Sequence, residues 1–562
     1  MTHRGLLVER FRENAASGRV GRMTFLEEDV VMSHTQLWQR SARVATALAE
    51  RGVAPGHRVG LAMHSTPETV VAFGAILQLG AALVPLRTLS SRDGGRDADA
   101  VAASVRAGRV RLCLVPRASR PAHASRIADV DVVAIEDVLG TACPPYDYDP
   151  AVVTAADVLL VQFSSGTIDA PTGICLTQAN VAANLAAATA RMGVDVNERI
   201  LSWLPLFHDL GLIGHLCLSL YTGCDLIHMR PRAFMRDPLA WIVELSKHRA
   251  TFTSGPQFAY DLCRLRSRAA WERVQGSDLT DVRAMVNGAE MISPASCRRF
   301  EEQFGRLGLR ANVIVPAYGL AENCVLVTAR APGTRFPVRR LDRRALDAGE
   351  VRIAEGVLDV VDLAGHGTPA QGIEVRVCSA DGTVVAPGRI GEILIGGTSA
   401  AAVVAEPDGS TRPLSEDGFI RTGDLGAFID GELYLVGRTR EILRHGSRAY
   451  APADIEWLLL GCPGVVPAGA AAISISNPGT GDELVVIVEA IAVADLRDLA
   501  RRVRLALLRG LALVPREVVL VRPATLPRTS SGKLRRVALR DAYRTGRLEQ
   551  LVDIAFSDRS SA

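Results

Sequence analysis

The alternation of strand, helix and strand constrains this chain more than any other feature. Residues 57–63 (HRVGLAM) read as a buried strand, residues 66–79 as a helix and residues 82–86 as the next strand. A unit of that length joins parallel strands through a right-handed crossover, so residues 1–155 are expected to build a covered parallel sheet. The pattern continues in the strand readings at 158–163, 251–256, 282–290 and 313–322, several of which end in small residues. Ligands in such sheets lie at the carboxyl ends of the strands. From residue 373 short strands separated by turn signals imply a β-rich part, and from about residue 440 a separate α+β pattern begins. A chain of 562 residues is too long for one core.

Composition excludes several classes of function. The formal charge of +3 is small for the length and the basic residues are spread out, which argues against nucleic acid as a partner. The ten cysteines occur singly, without CxxC or zinc spacing, and read as reduced thiols of a cytoplasmic protein. The first residues, MTHRGLLVERFREN, show no apolar signal core. The most membrane-like run, residues 70–86, is short and contains Gln78 and Pro85, so it reads as a buried helix feeding a strand, and no stable membrane insertion is expected. Only two of the 64 basic residues are lysines, Lys247 and Lys533. A lysine kept against so strong an arginine bias points to chemistry that needs a compact ammonium. Lys247 sits near a helix end and reads as a cap, whereas Lys533 lies in the small, polar loop PRTSSGKLRR.

Several stretches carry candidate chemistry. Residues 417–441 hold Asp424 on a Gly-flanked loop, a hairpin turning at Asp430-Gly431, and then Gly437-Arg438-Thr439-Arg440. A carboxylate so placed suits ribose hydroxyls and an arginine suits a phosphate or ribose; a solvated surface pair is the plainer reading. The strand at 158–163 runs into Ser164-Ser165-Gly166-Thr167, whose hydroxyls and backbone N–H groups suit an anion, although no Walker A lysine follows. His208-Asp209 could orient a substrate carboxylate, or could be a packed histidine. The turns at Gly288-Ala289-Glu290 and Tyr318-Gly319, with Glu322 beyond, form a plausible base pocket.

Taken together, the SSGT loop, WLPLFHDLGLIG, NGAE, PAYGLAE, RTGDL, the Gly-Arg hinge and the late SSGK resemble the adenylate-forming superfamily in order and spacing. WLPLFHDLGLIG, SGPQFAYDLC and PAYGLAENC look most like fatty acyl-AMP ligases, and LDRRALDAGEVRIA resembles their characteristic insertion. The resemblance implies an α/β fold: a large N-terminal domain of two α/β sheets plus a β-rich subdomain (residues 1–437), hinged to a small α+β C-terminal domain (residues 438–562). It also implies ATP-dependent activation of a carboxylic, fatty or related, acid as acyl-AMP, then transfer to the phosphopantetheine thiol of an acyl carrier protein. ATP and Mg²⁺ would be required. By position, Ser164, Ser165, Gly166 and Thr167 would contact phosphates, and Gly288, Ala289, Glu290, Tyr318 and Gly319 would frame the nucleotide base. Asp424 and Arg438 would hold the ribose, Glu322 would ligate Mg²⁺, His208 would line the carboxylate site, Arg440 would be the hinge and Lys533 the catalytic cation.

The sequence also departs from the superfamily pattern. Ile168, Asp169 and Thr172 stand where the phosphate loop usually has Thr, Gly or Ser, and Lys, which should weaken polyphosphate binding. His215 replaces a small residue after GLIG and points to an altered acyl site. Residues 400–413 lack the usual aromatic pattern. An acyl-CoA ligase, an adenylating enzyme for an unusual small or aromatic acid, and a weakly catalytic nucleotide-binding homologue are the alternatives.

Overall fold

The computed structural model describes residues 5–18, 21–89, 95–127, 129–163, 172–266, 268–356, 359–415, 417–445, 448–477, 481–491, 495–529 and 532–552. The phosphate-loop residues Ser164, Ser165, Gly166 and Thr167, with Ile168 and Asp169, lie outside the described residues.

The first strand–helix–strand unit forms as its pattern predicts. Arg58–Ala62 and Ala82–Leu86 pair in parallel, joined by the helix Pro67–Gln78. Thr66 caps that helix, its hydroxyl accepting from the Thr69 N–H, and Pro67 occupies the first turn where no N–H is needed. Every residue of the helix except Glu68 is buried. The membrane-like character of residues 70–86 is therefore that of a helix and strand covered on all sides. No helix among the described residues is long and apolar enough to cross a membrane.

Two large sheets and a smaller antiparallel one make up the N-terminal domain. The first has eight strands and contains Arg58–Ala62, Ala82–Leu86 and Val158–Phe163. The second has nine, with a parallel centre running through Asp225–His228, Arg199–Ser202, Phe252–Gly255, Ala284–Asn287 and Ile314–Tyr318. One apolar core lies between these sheets and their helices; a second, with Trp203, Trp241, Tyr260 and Phe300, covers the far face of the nine-stranded sheet. The third sheet is antiparallel, four strands ending in the hairpin Ile420–Ile429 and Glu432–Arg438. A smaller C-terminal domain follows, with a two-stranded and a four-stranded sheet and its own core around Val486, Leu499 and Val518.

Two elements depart from the sequence reading. Val465–Asn477 is the longest strand among the described residues, at 13 residues, yet its start contains Pro467, Gly469 and Ala468 at φ +58°. These residues form an irregularity between Val465 and Ala470 that hides the strand in the sequence. The helical segment that follows His208, absent from the sequence reading, widens to a π-helix over Leu212–Cys217. All ten cysteines are free thiols and eight are buried, as expected of reduced thiols.

His228, at the end of its strand, is buried and stacks on Phe25 with ring centroids 4.8 Å apart. Burial pulls its pKa from 6.5 to about 3. The unfolded chain therefore binds the proton first as pH falls. The neutral ring contributes its full stability above about pH 6.5, and that contribution is lost progressively below it. His228→Phe keeps the stacking and removes the titration. The melting temperature of the variant should fall less steeply than that of the wild type between pH 7 and about pH 5; parallel profiles would assign the acid sensitivity to other groups.

Candidate active site

The hairpin built on Asp430 and Gly431 sets one side of the site. Both turn residues have positive φ, 52° and 80°, as a two-residue type I′ turn requires. The turn fixes the register that puts Asp424 opposite Arg438 across the ladder. Arg438 Nε donates to Asp424 Oδ1 at 2.7 Å, and Tyr318 Oη, from the end of Ile314–Tyr318, donates to Oδ2 at 2.8 Å. Behind it, the Asp424 N–H donates to Thr422 Oγ1 at 3.0 Å, and that hydroxyl donates to the Ile393 carbonyl at 2.7 Å. Asp424 is buried while the Arg438 side chain stays largely exposed. The carboxylate is thus held by donors from two other strands; burial of the Tyr318 hydroxyl, and after it the Asp424 charge, push that hydroxyl's pKa up.

The neighbouring strand ends supply the rest. Ala289, in the turn after Ala284–Asn287, holds φ +68°, a left-handed conformation that a residue with a side chain rarely adopts. Glu290 follows it and accepts from the Phe258 N–H at 3.2 Å. Gly319 lies so close to the Val325 carbonyl that any side chain would clash, so its role includes chain packing. Glu322 sits in the short turn Ala321–Asn323 and is half-buried. Burial raises its pKa most, Asp209 and Asp424 add repulsion, and Arg438 opposes. His208 precedes the helical segment beginning at Asp209.

Lys533 reaches this site from the small domain. Its charge is felt by His208, Asp209 and Glu290, three residues from separate parts of the large domain. Burial first, then Lys533 and Arg87, pull the His208 pKa down to about 3. His208 is therefore a neutral ring at ordinary pH and contributes hydrogen bonding rather than charge. Burial raises Asp209 and Glu290, and Lys533 is the largest influence drawing each back.

The lysine loop is held by groups that the sequence reading did not single out. The Lys533 N–H donates to Thr529 Oγ1 at 3.1 Å and the Thr529 N–H to the Lys533 carbonyl at 2.7 Å. Arg528 Nη1 donates to the Gly532 carbonyl at 2.8 Å. Gly532, at φ +88°, lies flat on the Phe258 ring, where a Cβ would collide. Arg536 joins Glu441 and Glu456 at 3.2 and 2.7 Å, tying the helix after the loop to the residue after Arg440 and to the helix Pro452–Leu459. The signal was present as the arginines flanking SSGK, which the reading treated as part of a flexible loop. Arg440 is exposed in the turn after the hairpin.

The charged insertion is ordered over most of its length. Val338–Asp342 pairs with Val360–Ala364, and the short helix Arg343–Asp347 projects toward the small domain. Arg343 Nη1 meets Asp454 Oδ2 at 2.9 Å, with side chains only 5% and 9% exposed. The Arg343 guanidinium also lies over the Tyr450 ring, 5.1 Å from its centroid. Asp347 accepts from the Ala449 N–H at 3.0 Å, and Asp359 takes two bonds from Arg448, each 3.0 Å.

With this geometry in hand, comparison with known proteins is decisive. The family model described as AMP-binding enzyme matches residues 11–403. The chain belongs to the AMP-binding enzyme family. It is 31% identical to the long-chain-fatty-acid–AMP ligase FadD26 of Mycobacterium marinum over 94% of this chain and 95% of that protein. It is 29% identical to the 4-hydroxyphenylalkanoate adenylyltransferase of Mycobacterium tuberculosis, covering 91% of this chain and 86% of that protein. A structure from a study of fatty acyl-adenylate ligases of E. coli and L. pneumophila superposes with a TM-score of 0.87 at 25% identity, covering 96% of this chain and 98% of that one.

The Arg343–Asp454 pair gives a direct check of the insertion's grip. Removing one partner of a buried pair leaves the other charged and unpaired, which costs on the order of 3–5 kcal/mol. Asp454→Ala should increase amide exchange across residues 443–459 much more than in the large domain. Unchanged exchange there would mean that the insertion does not restrain the small domain.

Proposed function

We propose that this chain activates a carboxylic acid, fatty or a related acyl acid, as acyl-AMP with release of pyrophosphate, and then passes the acyl group to a carrier-protein phosphopantetheine thiol. The observation that carries this reading is the seating of the Lys533 loop on the large domain, with Gly532 against Phe258, whose N–H bonds Glu290, so that the lysine charge acts on His208, Asp209 and Glu290. Membership of a family whose relatives include long-chain-fatty-acid–AMP ligases supports the acyl-adenylating reaction.

In the first half-reaction an acid oxygen attacks the α-phosphorus of ATP, a P–O bond forms, and the bond to pyrophosphate breaks. Two anions must approach, so a cation is needed at the point of attack. Lys533 supplies it, and His208, held neutral, lines the carboxylate without adding a second charge. Asp424 accepts the ribose hydroxyls, with Arg438 and Tyr318 holding the carboxylate in place. The base lies between Gly288-Ala289-Glu290 and Tyr318-Gly319, and Ser164, Ser165, Gly166 and Thr167 receive the phosphates. Glu322 fits a Mg²⁺ role: its half-buried carboxylate, repelled by Asp209 and Asp424, gains from a nearby cation, and Mg²⁺ commonly takes one carboxylate with substrate phosphates. When bound, Mg²⁺ would neutralise the charge of the phosphates. In the second half-reaction the carrier thiol, losing its proton, attacks the acyl carbon and AMP leaves. Rotation at Arg440, between residues 1–437 and 438–562, would move Lys533 away to admit that thiol.

Two measurements test the reading. Lys533→Ala should lower acid-dependent pyrophosphate release by roughly 10²–10³ while sparing thiol transfer from supplied acyl-AMP; equal loss of both steps would take Lys533 out of the adenylation site. The contacts of Arg343 and Asp347 with the small domain support a second expectation: residues 336–356 disfavour coenzyme A by restraining domain rotation. A folded variant with this segment trimmed should gain acyl-CoA formation, and unchanged coenzyme A turnover would exclude the segment.

A further inference from the structure

His215 is fully buried and takes no part in the mechanism above. Its Nδ1 lies 2.6 Å from Ser202 Oγ and its Nε2 2.8 Å from Ser254 Oγ. Those serines stand at the carboxyl ends of Arg199–Ser202 and Phe252–Gly255, adjacent parallel strands paired in the register Leu201↔Thr253. Thr253 bonds Trp241 on the opposite face of the sheet, so both serines face the helical segment that begins at Asp209. His215 crosses that gap like a brace. The π-helical turn Leu212–Cys217, a geometry that recurs at functional sites, carries it. The Phe252 ring stands edge-on to it, with centroids 6.2 Å apart.

The position matters because of His208. His208 is the extended residue just before the helical run that carries His215, and the rise between the two along that run is at most about 10 Å. An acyl chain that starts at the carboxylate site and runs inward between this helix and the strand ends meets the brace after roughly that length. To pass, it must separate two buried hydrogen bonds and leave their serine and imidazole groups without partners, which methylene groups cannot replace.

We propose that His215, cross-braced by Ser202 and Ser254, is the floor of the acyl site and restricts the enzyme to short acids of about the length of hexanoate or octanoate, excluding long saturated chains. The inference rests on the adenylating reading and deepens it by naming the substrate class. Burial of the neutral ring, whose pKa falls to about 3, agrees with a permanent uncharged brace.

The test uses the full-length protein and hydrolysis-resistant acyl-sulfamoyl-adenosines carrying hexanoyl, dodecanoyl and hexadecanoyl groups, titrated by calorimetry. The wild type should bind the hexanoyl analogue at least about tenfold more tightly than the hexadecanoyl one, the scale on which a filled pocket discriminates chain atoms. His215→Ala should narrow or invert that ratio. Because His215→Ala opens a core cavity, the paired Ser202→Ala/Ser254→Ala variant provides a second reading, freeing the ring without emptying its place, and should shift the ratio the same way. Equal or tighter wild-type binding of the hexadecanoyl analogue overturns the proposal, as does a chain-length ratio unchanged in both variants. Pyrophosphate release over straight-chain acids is measured in parallel. The expected binding order without release from any acid would support the floor and sink the adenylating reading; no binding of any analogue would overturn both.

Discussion

The carboxylate of Asp424 is the constraint on which the rest of the site depends. It sits on the antiparallel sheet, receives Tyr318 from the end of a parallel strand, and receives Arg438 from the last residue of the hairpin. A buried carboxylate costs several kcal/mol unless its oxygens find donors, and each oxygen here finds one. The hydrogen bonds that satisfy Asp424 also orient two sheets and the start of the segment leading to the small domain.

The second constraint is the charge brought by that domain. A point ammonium at Lys533 faces Asp209 and Glu290, whose acidity burial weakens, and His208, which burial keeps neutral. The loop bonds of Thr529 and Arg528 and the flat contact of Gly532 on Phe258 hold the lysine in place. On the far side, Arg343 and Asp454 close a buried ion pair between the insertion and the small domain. Such a pair adds little to net stability but penalises separation strongly, which suits a device that restrains a hinge.

Much of this was legible in the sequence. The helix Pro67–Gln78 and its flanking strands followed from the strand–helix–strand alternation, and the hairpin from Asp430-Gly431, because local rules decide those elements. Lys533 stood out against an arginine-rich background. The strand Val465–Asn477 was hidden by an irregular start that only pairing with Gly481–Ala490 rescues. The partners of Lys533, the bond from Tyr318 to Asp424 and the ion pair of Arg343 with Asp454 join residues far apart in sequence, and no local pattern encodes such pairings. His215 was visible as an odd residue, but its two serines were not, since they lie on different strands.

The central claim is that the acid attacks the α-phosphorus of ATP at the site where Lys533 meets Asp209 and Glu290. Following the carboxylate oxygen tests it most directly. An acid labelled with heavy oxygen in its carboxylate is incubated with ATP, and after acyl transfer the nucleotide and phosphate products are weighed by mass spectrometry. The account predicts AMP carrying one heavy oxygen and pyrophosphate carrying none. Label in inorganic phosphate or pyrophosphate, or unlabelled AMP, would contradict it.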